Sequence, residues 1–567
     1  MIRESIEKAV KDALAELGAG DVSFVVSRPS DMAHGDYATN AALAAGKALK
    51  KNPREVAEAL VAKLASSSAN PLTSQAPQPG LAPELVEKVE VAGAGFINFF
   101  LSSDAIKKEI DAAQSDAYGS NKAYAGKRIM VEYTDPNPFK EFHIGHLMSN
   151  AIGESIARLL SVSGAEVLRA NYQGDVGPHV AKALYILLER GLDNPSIKDI
   201  SEAYVEGAKR YEENVESKQA IDELNKKIYE KSDERVNALY EKGRALTLEH
   251  FEELYRMLGT KFDFYFFESE SAPVGKKIVE AHPDIFVESE GAIVFKGESY
   301  GLHTRVFLNK MRLPTYEAKE LGLMELKKSK LDFDESITIT ASEQSDFFKV
   351  VYLAAKIISP DLGEKLVHRS HGMMRFASGK MSSRLGNVVT GESLLVSLTD
   401  AAKEKMKERS VAEADAVAQG VAVAAVKYAV LKQNTGKDIV FDPEKSLSLE
   451  GDSGPYLQYA HVRANSLIRE AGKAEKVNEE CSPSELVFSR LLLHYPDAVA
   501  RAASELEPHH VTTYLTELAS AFNSWYASER MIVDGKISSS KLSVIVAVKN
   551  ILASGLDVLG INAPEQM

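Results

Sequence analysis

Apolar positions along the first hundred residues switch between two periods. Ile6, Val10, Ala13, Leu14 and Leu17 recur on one helical stripe, whereas Val22, Phe24 and Val26 alternate as in a half-buried strand. Val56, Leu60 and Leu64 resume helical spacing. The stretch from Ser66 to Pro83, rich in Ser, Pro, Ala and Gln, has neither period and predicts a loop. Val89 to Val91 and Phe96 to Leu101 then read as strands around the Gly93-Ala94-Gly95 turn. Together these predict a small α+β domain over residues 1–105.

From Lys127 the grammar changes to strands alternating with helices, the pattern of a parallel sheet with crossover helices. Ile129-Met130-Val131 is a buried strand, Ile152, Ile156, Leu159 and Leu160 mark the following helix, and Ala165 to Ala170 return as a strand. Phe262 to Phe267, Ala292 to Phe295 and Ile337 to Thr340 continue the strands, which predicts an α/β, doubly wound, Rossmann-like domain over 106–390. A charge-dense helical stretch at about 193–258 reads as a solvated insertion. Beyond Gly391 helical spacing dominates. Leu457, Ala460, Ala464 and Leu467 share one face, as do Tyr514, Leu518, Phe522 and Trp525, so residues 391–567 predict an all-α bundle.

Length and composition narrow the class. A chain of 567 residues suggests roughly three to five domains. One cysteine, Cys481, rules out an intramolecular disulfide and a cysteine-built zinc site, and fits a reducing compartment, so a cytoplasmic location is expected. The first residues lack the apolar run of a secretion signal, and no apolar run approaches the ~20 residues that span a bilayer, so no membrane partner is expected. A net charge of -14 disfavours a nucleic-acid partner held mainly by nonspecific phosphate attraction, while leaving room for a local basic face.

The chemistry concentrates in two segments. Asp135-Pro136-Asn137-Pro138-Phe139-Lys140-Glu141-Phe142-His143-Ile144-Gly145-His146 lies where a buried strand meets a helix, the end of an open α/β sheet at which ligands bind. His143 and His146 sit about one helical turn apart beside the free N–H groups of a helix start, and Gly145 removes a side chain that would block close approach. That suits a nucleotide, though such a pair serves equally as zinc ligands or an ordinary helix start. The second segment, Phe376 to Asn387, is a glycine-hinged loop with Lys380, Ser382 and Arg384, fit to close on phosphates or to stand as an exposed charged loop.

Together, and in this order, these residues resemble the class I aminoacyl-tRNA synthetases. His143-Ile144-Gly145-His146 matches the class signature, and Lys380-Met381-Ser382-Ser383-Arg384 resembles its Lys-Met-Ser-Lys-Ser loop. Within the class, Pro136 to Leu147 resembles the arginyl-tRNA synthetase family's Pro-Asn-x-x-Lys-x-x-His-x-Gly-His-Leu. Asn171 to Gly177, Pro455 to Arg463 and His34 to Ala38 resemble further blocks of that family, so the likeness spans essentially the whole chain.

The resemblance implies an arginine–tRNA ligase that activates L-arginine with ATP and magnesium and loads tRNA(Arg), through an added N-terminal domain, a catalytic domain and a helical anticodon-binding domain. His143, His146, Lys140 and Lys380 are its expected catalytic residues, and Gly145, Ser382 and Arg384 join His143, His146 and Lys380 as ATP contacts. Glu132, Asn137, Tyr316, Glu320 and Gln344 are the expected arginine contacts, with no metal site on the protein. The chain departs from the family in two places. Ser383 stands at the loop's second lysine, for which the family uses the equivalent of Lys140, and Glu320 stands where aspartate is usual. The expected partners are tRNA(Arg) and L-arginine, without DNA, and the chain is expected to be a monomer. Trp525, Tyr526 and Tyr459 could stack bases or belong to the core. A class I synthetase for another amino acid, a small nucleotidyltransferase and a non-catalytic tRNA-binding relative are the competing readings.

Overall fold

The structure is a computed structural model and describes residues 2–29, 31–65, 81–377, 390–407, 413–477 and 483–567. The loop predicted over Ser66 to Pro83 lies mostly outside them, as do Cys481 and the loop bearing Lys380, Ser382 and Arg384. The chain divides into two compact units, one comprising 1–120, 463–500 and 517–554, the other 121–462, 501–516 and 555–567.

The first unit opens with helix α1 (Ile2–Glu16) and the strands β1 (Val26–Ser27), β2 (Tyr37–Thr39), β3 (Val86–Ala92) and β4 (Phe96–Leu101), an antiparallel sheet in the order β1-β2-β4-β3. Helices α2 (Ala41–Leu49), α3 (Pro53–Ala65) and α4 (Ser103–Ala112) complete this part. The predicted strand around Val22 and Phe24 shrinks to Val26–Ser27, because side chains take over the backbone there: Val25 N–H donates to Asn40 Oδ1 and Thr39 Oγ1 donates to the Val25 carbonyl. Within the unit this domain is fastened to the C-terminal helices. Arg28 makes a bidentate pair with Glu517, at 2.6 and 2.8 Å, and Tyr37 OH donates to Asp497 at 2.9 Å. Trp525 is buried and stacked on Phe488, so it belongs to the core, while Tyr526 is exposed beneath the Arg463 guanidinium.

The second unit is built on a parallel sheet of β5 (Arg128–Glu132), β6 (Glu166–Gln173) and β7 (Phe264–Phe267), with two later strands. Ala292–Phe295 is not among them. It is the middle strand of a separate antiparallel sheet, β8 (Phe286–Ser289), β9 (Ala292–Phe295) and β10 (Arg305–Leu308), joined by a tight Glu290-Gly291 turn with positive φ at both residues. The parallel sheet closes with β11 (Glu335–Ala341) and β12 (Leu366–His371), giving the order β12-β11-β5-β6-β7. Chain order therefore reverses between β5 and β11, and the crevice beyond their carboxyl ends is the ligand-binding position of such sheets.

Helices α5 (Ile144–Val162) and α6 (Pro178–Glu189) follow β5 and β6. The charge-dense segment forms α7 (Ile197–Glu213), α8 (Val215–Glu230) and α9 (Glu234–Met257), but its inner faces are not solvated. Ile200 and Ala203, Ile221, Leu224 and Ile228, and Val236, Leu239 and Tyr240 bury against α6 and Phe139. The Phe139 ring occupies the space a Cβ on Gly243 would need. Helices α10 (Glu268–Ala281), α11 (Tyr316–Lys330) and α12 (Ser345–Ile358) follow in the same unit, α10 packed on α11 and β7 and α12 on β12.

Helix Ala414–Leu431 is long and apolar enough to cross a membrane, contrary to the expectation that no run approaches that length, but 67% of it is buried within the protein. Its Lys427 ammonium is wholly buried and donates to the Leu258 and Gly560 carbonyls at 2.6 and 2.8 Å, and burial lowers its pKa to about 7. It is a core helix of this unit.

Candidate active site

The segment leaving β5 is held in conformations that side chains ordinarily avoid. Thr134, Asp135 and Phe139 all have positive φ, at 80°, 48° and 66°. Strain of this kind costs on the order of 1–3 kcal/mol per residue and persists only where the surroundings over-determine it. Here they do: Thr134 N–H donates to Ser149 Oγ at 3.0 Å, Asp135 Oδ1 accepts from Tyr172 N–H at 2.8 Å, and Asn137 Oδ1 accepts from Gly174 N–H at 2.9 Å. The loop is thus pinned to α5 and to the end of β6. Next to it Asp175, wholly buried, gathers Ser269, Tyr240 and Arg244 around its carboxylate.

His143 caps α5 and His146 lies one turn inside, their rings stacked with centroids 3.4 Å apart. His143 N–H donates to His146 Nδ1 at 3.1 Å. An accepting Nδ1 in a neutral imidazole leaves the hydrogen on Nε2, a donor free for a ligand oxygen. Burial, with Lys140 nearby, lowers the pKa of His143, and burial with His143 and Lys140 holds that of His146 well below the ordinary value, so both rings are neutral near pH 7. Gly145 is required by the pair itself, since a Cβ there would stand 2.9 Å from His143 Cε1.

Lys140 connects the two ends of the site. Its charge acts on both histidines, while Glu268 favours it. Burial lowers its pKa, and the Tyr204 ring of α7 lies 5.5 Å from its ammonium. The insertion therefore supplies a wall of the site as well as buried core. Tyr229 of α8 makes the same point, as a partner of Lys319.

Beside the strained loop lies a cavity of about 420 Å³, within the range of small-molecule sites. Glu132, Asn137, Tyr316, Glu320 and Gln344, the residues expected to contact the amino acid, all line it. Their states differ. Tyr316 is an exposed lip, Gln344 stands at the start of α12, and Asn137 already uses its carbonyl on Gly174. Glu132 is buried and forms an ion pair with Lys327 at 2.7 Å. That contact is close, though not aligned as a hydrogen bond. Glu320 is buried with Oε1 unpartnered, and its carboxyl is pushed up to about 8 by burial and the Glu132 charge, against the opposing pull of Lys327.

Other participants escaped the sequence reading. Glu268 lines the cavity and pairs with Lys319 at 2.6 Å, Arg305 lines it and pairs with Glu317 at 3.3 Å, and Lys327 sits beneath Glu132. One available signal was Glu268 itself, a carboxylate at the carboxyl end of β7. Another was the seven-residue spacing of Glu320 and Lys327, two turns along one helix face.

Lys380, Ser382 and Arg384 lie outside the described residues. The residues just after them dock on the histidine motif: Thr390 bridges His143, and Gly391 N–H donates to the Phe142 carbonyl at 2.7 Å.

Comparison with known proteins finds three family matches. The model for tRNA synthetases class I (R), catalytic domain, matches residues 110–443. The DALR anticodon binding domain matches 457–567, and the arginyl tRNA synthetase N terminal domain matches 2–101. Among curated relatives, an arginine–tRNA ligase of Lactobacillus delbrueckii subsp. bulgaricus is 30% identical, with 100% of both chains aligned. One of Clostridium perfringens is 30% identical over 86% of this chain and 90% of its own. The solved structure of Thermus thermophilus arginyl-tRNA synthetase superposes with a TM-score of 0.82 at 28% identity, covering 100% of each chain.

Proposed function

The chain belongs to the arginyl-tRNA synthetase family and is an ATP-dependent aminoacyl-tRNA ligase, and from that premise we propose how its residues divide the work. The arginine carboxylate attacks the α-phosphate of ATP, giving arginyl-adenylate and pyrophosphate. A ribose hydroxyl of the terminal tRNA adenosine then takes the arginyl group and releases AMP. Charge grows on the phosphoryl oxygens in the first step, so donors already aimed at them lower the barrier.

His143 and His146 supply such donors as neutral imidazoles, at the N-terminus of α5 where an anion is favoured. Lys140 adds positive charge between the phosphates and the amino acid, the role for which Ser383 leaves room in the loop of Lys380, Ser382 and Arg384. Magnesium would accompany ATP as the counterion of its phosphates, sharing the charge that grows on the leaving pyrophosphate. The acid-lined cavity takes the arginine side chain, with Asn137 and Gln344 toward its amino and carboxylate ends.

The observation that carries this reading is the adjacency of a neutral histidine pair, a half-buried lysine and a cavity lined by buried glutamates at the sheet's switch point. We further assign the chain to the cytoplasm as a monomer that acts on tRNA and binds neither DNA nor membrane. Charging of total tRNA with labelled arginine and ATP, with and without excess unlabelled lysine, tests the function. Incorporation that lysine does not compete away is expected, and absence of arginine incorporation would refute it.

A further inference from the structure

The histidine motif is also held by α9, through two neighbouring residues. His250 Nε2–H donates to Glu392 Oε2 at 3.0 Å, and Glu392 lies in the first turn of the helix Gly391–Met406. That helix begins against the motif. Thr390 caps it by accepting from Ser393 N–H and also bridges His143, while Gly391 N–H donates to the Phe142 carbonyl at 2.7 Å. The approach is tight, since a Cβ on Gly391 would stand 2.9 Å from the Phe142 ring and 3.2 Å from the His143 carbonyl oxygen. Phe251, the next residue of α9, packs on Phe142 with ring centroids 6.3 Å apart, and Phe142 lies 5.3 Å from the His146 ring. Among these groups remains a cavity of about 60 Å³, lined by Lys140, Phe142, His250, Thr390 and Glu392. Close packing therefore does not by itself fix the segment on this side, and the contact between His250 and Glu392 supplies what packing leaves open.

We propose that His250 is a positioning residue for adenylate formation: its pairing with Glu392 seats Thr390 and Gly391 on Phe142 and His143, and so fixes where the histidine rings meet the phosphates of ATP. This rests on the reading that His143 and His146 serve those phosphates. It gives the insertion a part in the chemistry, because α9 sets the geometry of the motif without touching substrate.

Phosphoryl transfer depends on donors held in place, and a displacement of about 1 Å costs on the order of 100-fold in rate. A charged hydrogen bond holds its partners more tightly than a neutral one. The His250 side chain is 18% exposed and that of Glu392 43%, so the pair adds little to overall stability and acts through position. The bond to Glu392, with Glu253 at 3.7 Å on the same helix, raises the His250 pKa against the opposing effect of burial, and the same bond lowers that of Glu392. The other charged groups at the cavity are Lys140 and Glu141 from the loop before α5, and burial with the Glu392 charge raises the Glu141 carboxyl. From α7 come Ile197, Ile200 and Ser201, none of them charged. The imidazolium therefore outlasts the ordinary imidazole range, and the pair weakens as pH rises through the raised value.

The test uses the full chain with tRNA, arginine, ATP and magnesium, measuring the single-turnover rate of pyrophosphate release and the arginine KM from pH 6 to 9 in wild type, H250Q, E392Q and the double variant. At pH 6 each single variant is expected to lose about fivefold or more in rate, with arginine KM within about twofold of wild type. The double variant should lose no more than either single one, because the two changes remove the same contact. The ratio of the wild-type rate to the E392Q rate should shrink as pH rises to 9, since E392Q has no ion pair left to titrate. Glu392 is partly exposed, so E392Q carries the comparison should H250Q not fold. The proposal is overturned if the single variants keep the wild-type rate, if their losses multiply in the double variant, or if the ratio stays constant from pH 6 to 9. A His143→Ala variant with the wild-type rate would instead sink the reading of the histidines on which the proposal stands.

Discussion

Replacing Glu320 by glutamine should sharply weaken arginine use and yet let the empty protein gain stability over wild type as pH rises. The carboxyl titrates near 8 in the folded chain against 4.5 when exposed, because it is buried beside Glu132. Between those values the folded state holds a proton that the unfolded chain has lost, so the stability associated with the group is fully present below pH 4.5 and drains away as pH climbs through 8. At ~1.4 kcal/mol per unit, the loss is about 3 kcal/mol at pH 7 and about 5 kcal/mol above pH 8. A glutamine at 320 titrates nowhere in this range and escapes the loss, while any fixed cost of fitting the amide appears equally at every pH. Urea unfolding of wild type and Glu320→Gln at pH 5, 7 and 8.5, without substrates, should show the variant gaining on wild type by these amounts. Arginine must ionise Glu320 to pair with it, so wild-type affinity should rise about tenfold from pH 6 to 7 and level off above 8, with proton release visible by calorimetry in buffers of different ionisation enthalpy. A stability difference that stays constant from pH 5 to 8.5 would refute the reasoning.

Lys140→Ala should cut the rate of adenylate formation about 100-fold or more while far-UV circular dichroism and the unfolding midpoint stay unchanged, and near-normal turnover would remove this lysine from the mechanism. Gly145→Ala places a methyl group 2.9 Å from the His143 ring and must tilt it away from His146, so kcat should fall about tenfold or more with little change in stability; unchanged kcat in single-turnover assays would show that the ring pair is not needed. Lys427→Met strands the Leu258 and Gly560 carbonyls inside the core and should lower the unfolding free energy by about 2–4 kcal/mol, read from denaturant melts, and an unaltered midpoint would show that those carbonyls find other partners.

The parts of the fold that the sequence announces are those whose signal is local. The run Ile129-Met130-Val131, the helix after it and the paired histidines each sit in a few consecutive residues, and the structure places all of them at one end of one strand. Strand Ala292–Phe295 is also local, but which sheet it joins is decided by the turn at Glu290-Gly291 and by β10, whose four residues carry too little alternation to read. The insertion misleads for a different reason. Its charges recur every turn and mask the apolar spacing of Ile200-Ala203-Gly207 and Ile221-Leu224-Ile228, which is visible once Phe139 and α6 are known to lie against it. The ion pairs of the pocket could not be read at all, because Glu132 with Lys327 and Glu268 with Lys319 are joined by sheet order and helix packing across 195 and 51 positions.

Those pairs also decide what kind of discrimination the pocket can perform. On its floor the carboxylates of Glu132, Asp135, Glu268 and Glu320 face the ammoniums of Lys319 and Lys327, so with every group ionised two negative charges are in excess. Arginine brings a net charge of about +1, as lysine does, so one acid must keep its proton even with substrate in place. Asp135 fits that part, since burial and the Glu132 charge hold its carboxyl well above the usual range. The charge count is therefore the same for both amino acids, and attraction alone cannot separate them. Two of the protein's own lysines already show that this floor accepts an ammonium at a single glutamate. What remains to distinguish the substrates is Glu320, which has no lysine of its own and, unlike Asp135, is the acid that ionises for the substrate. At Glu320 a guanidinium satisfies both oxygens at once, whereas an ammonium leaves one of them bare.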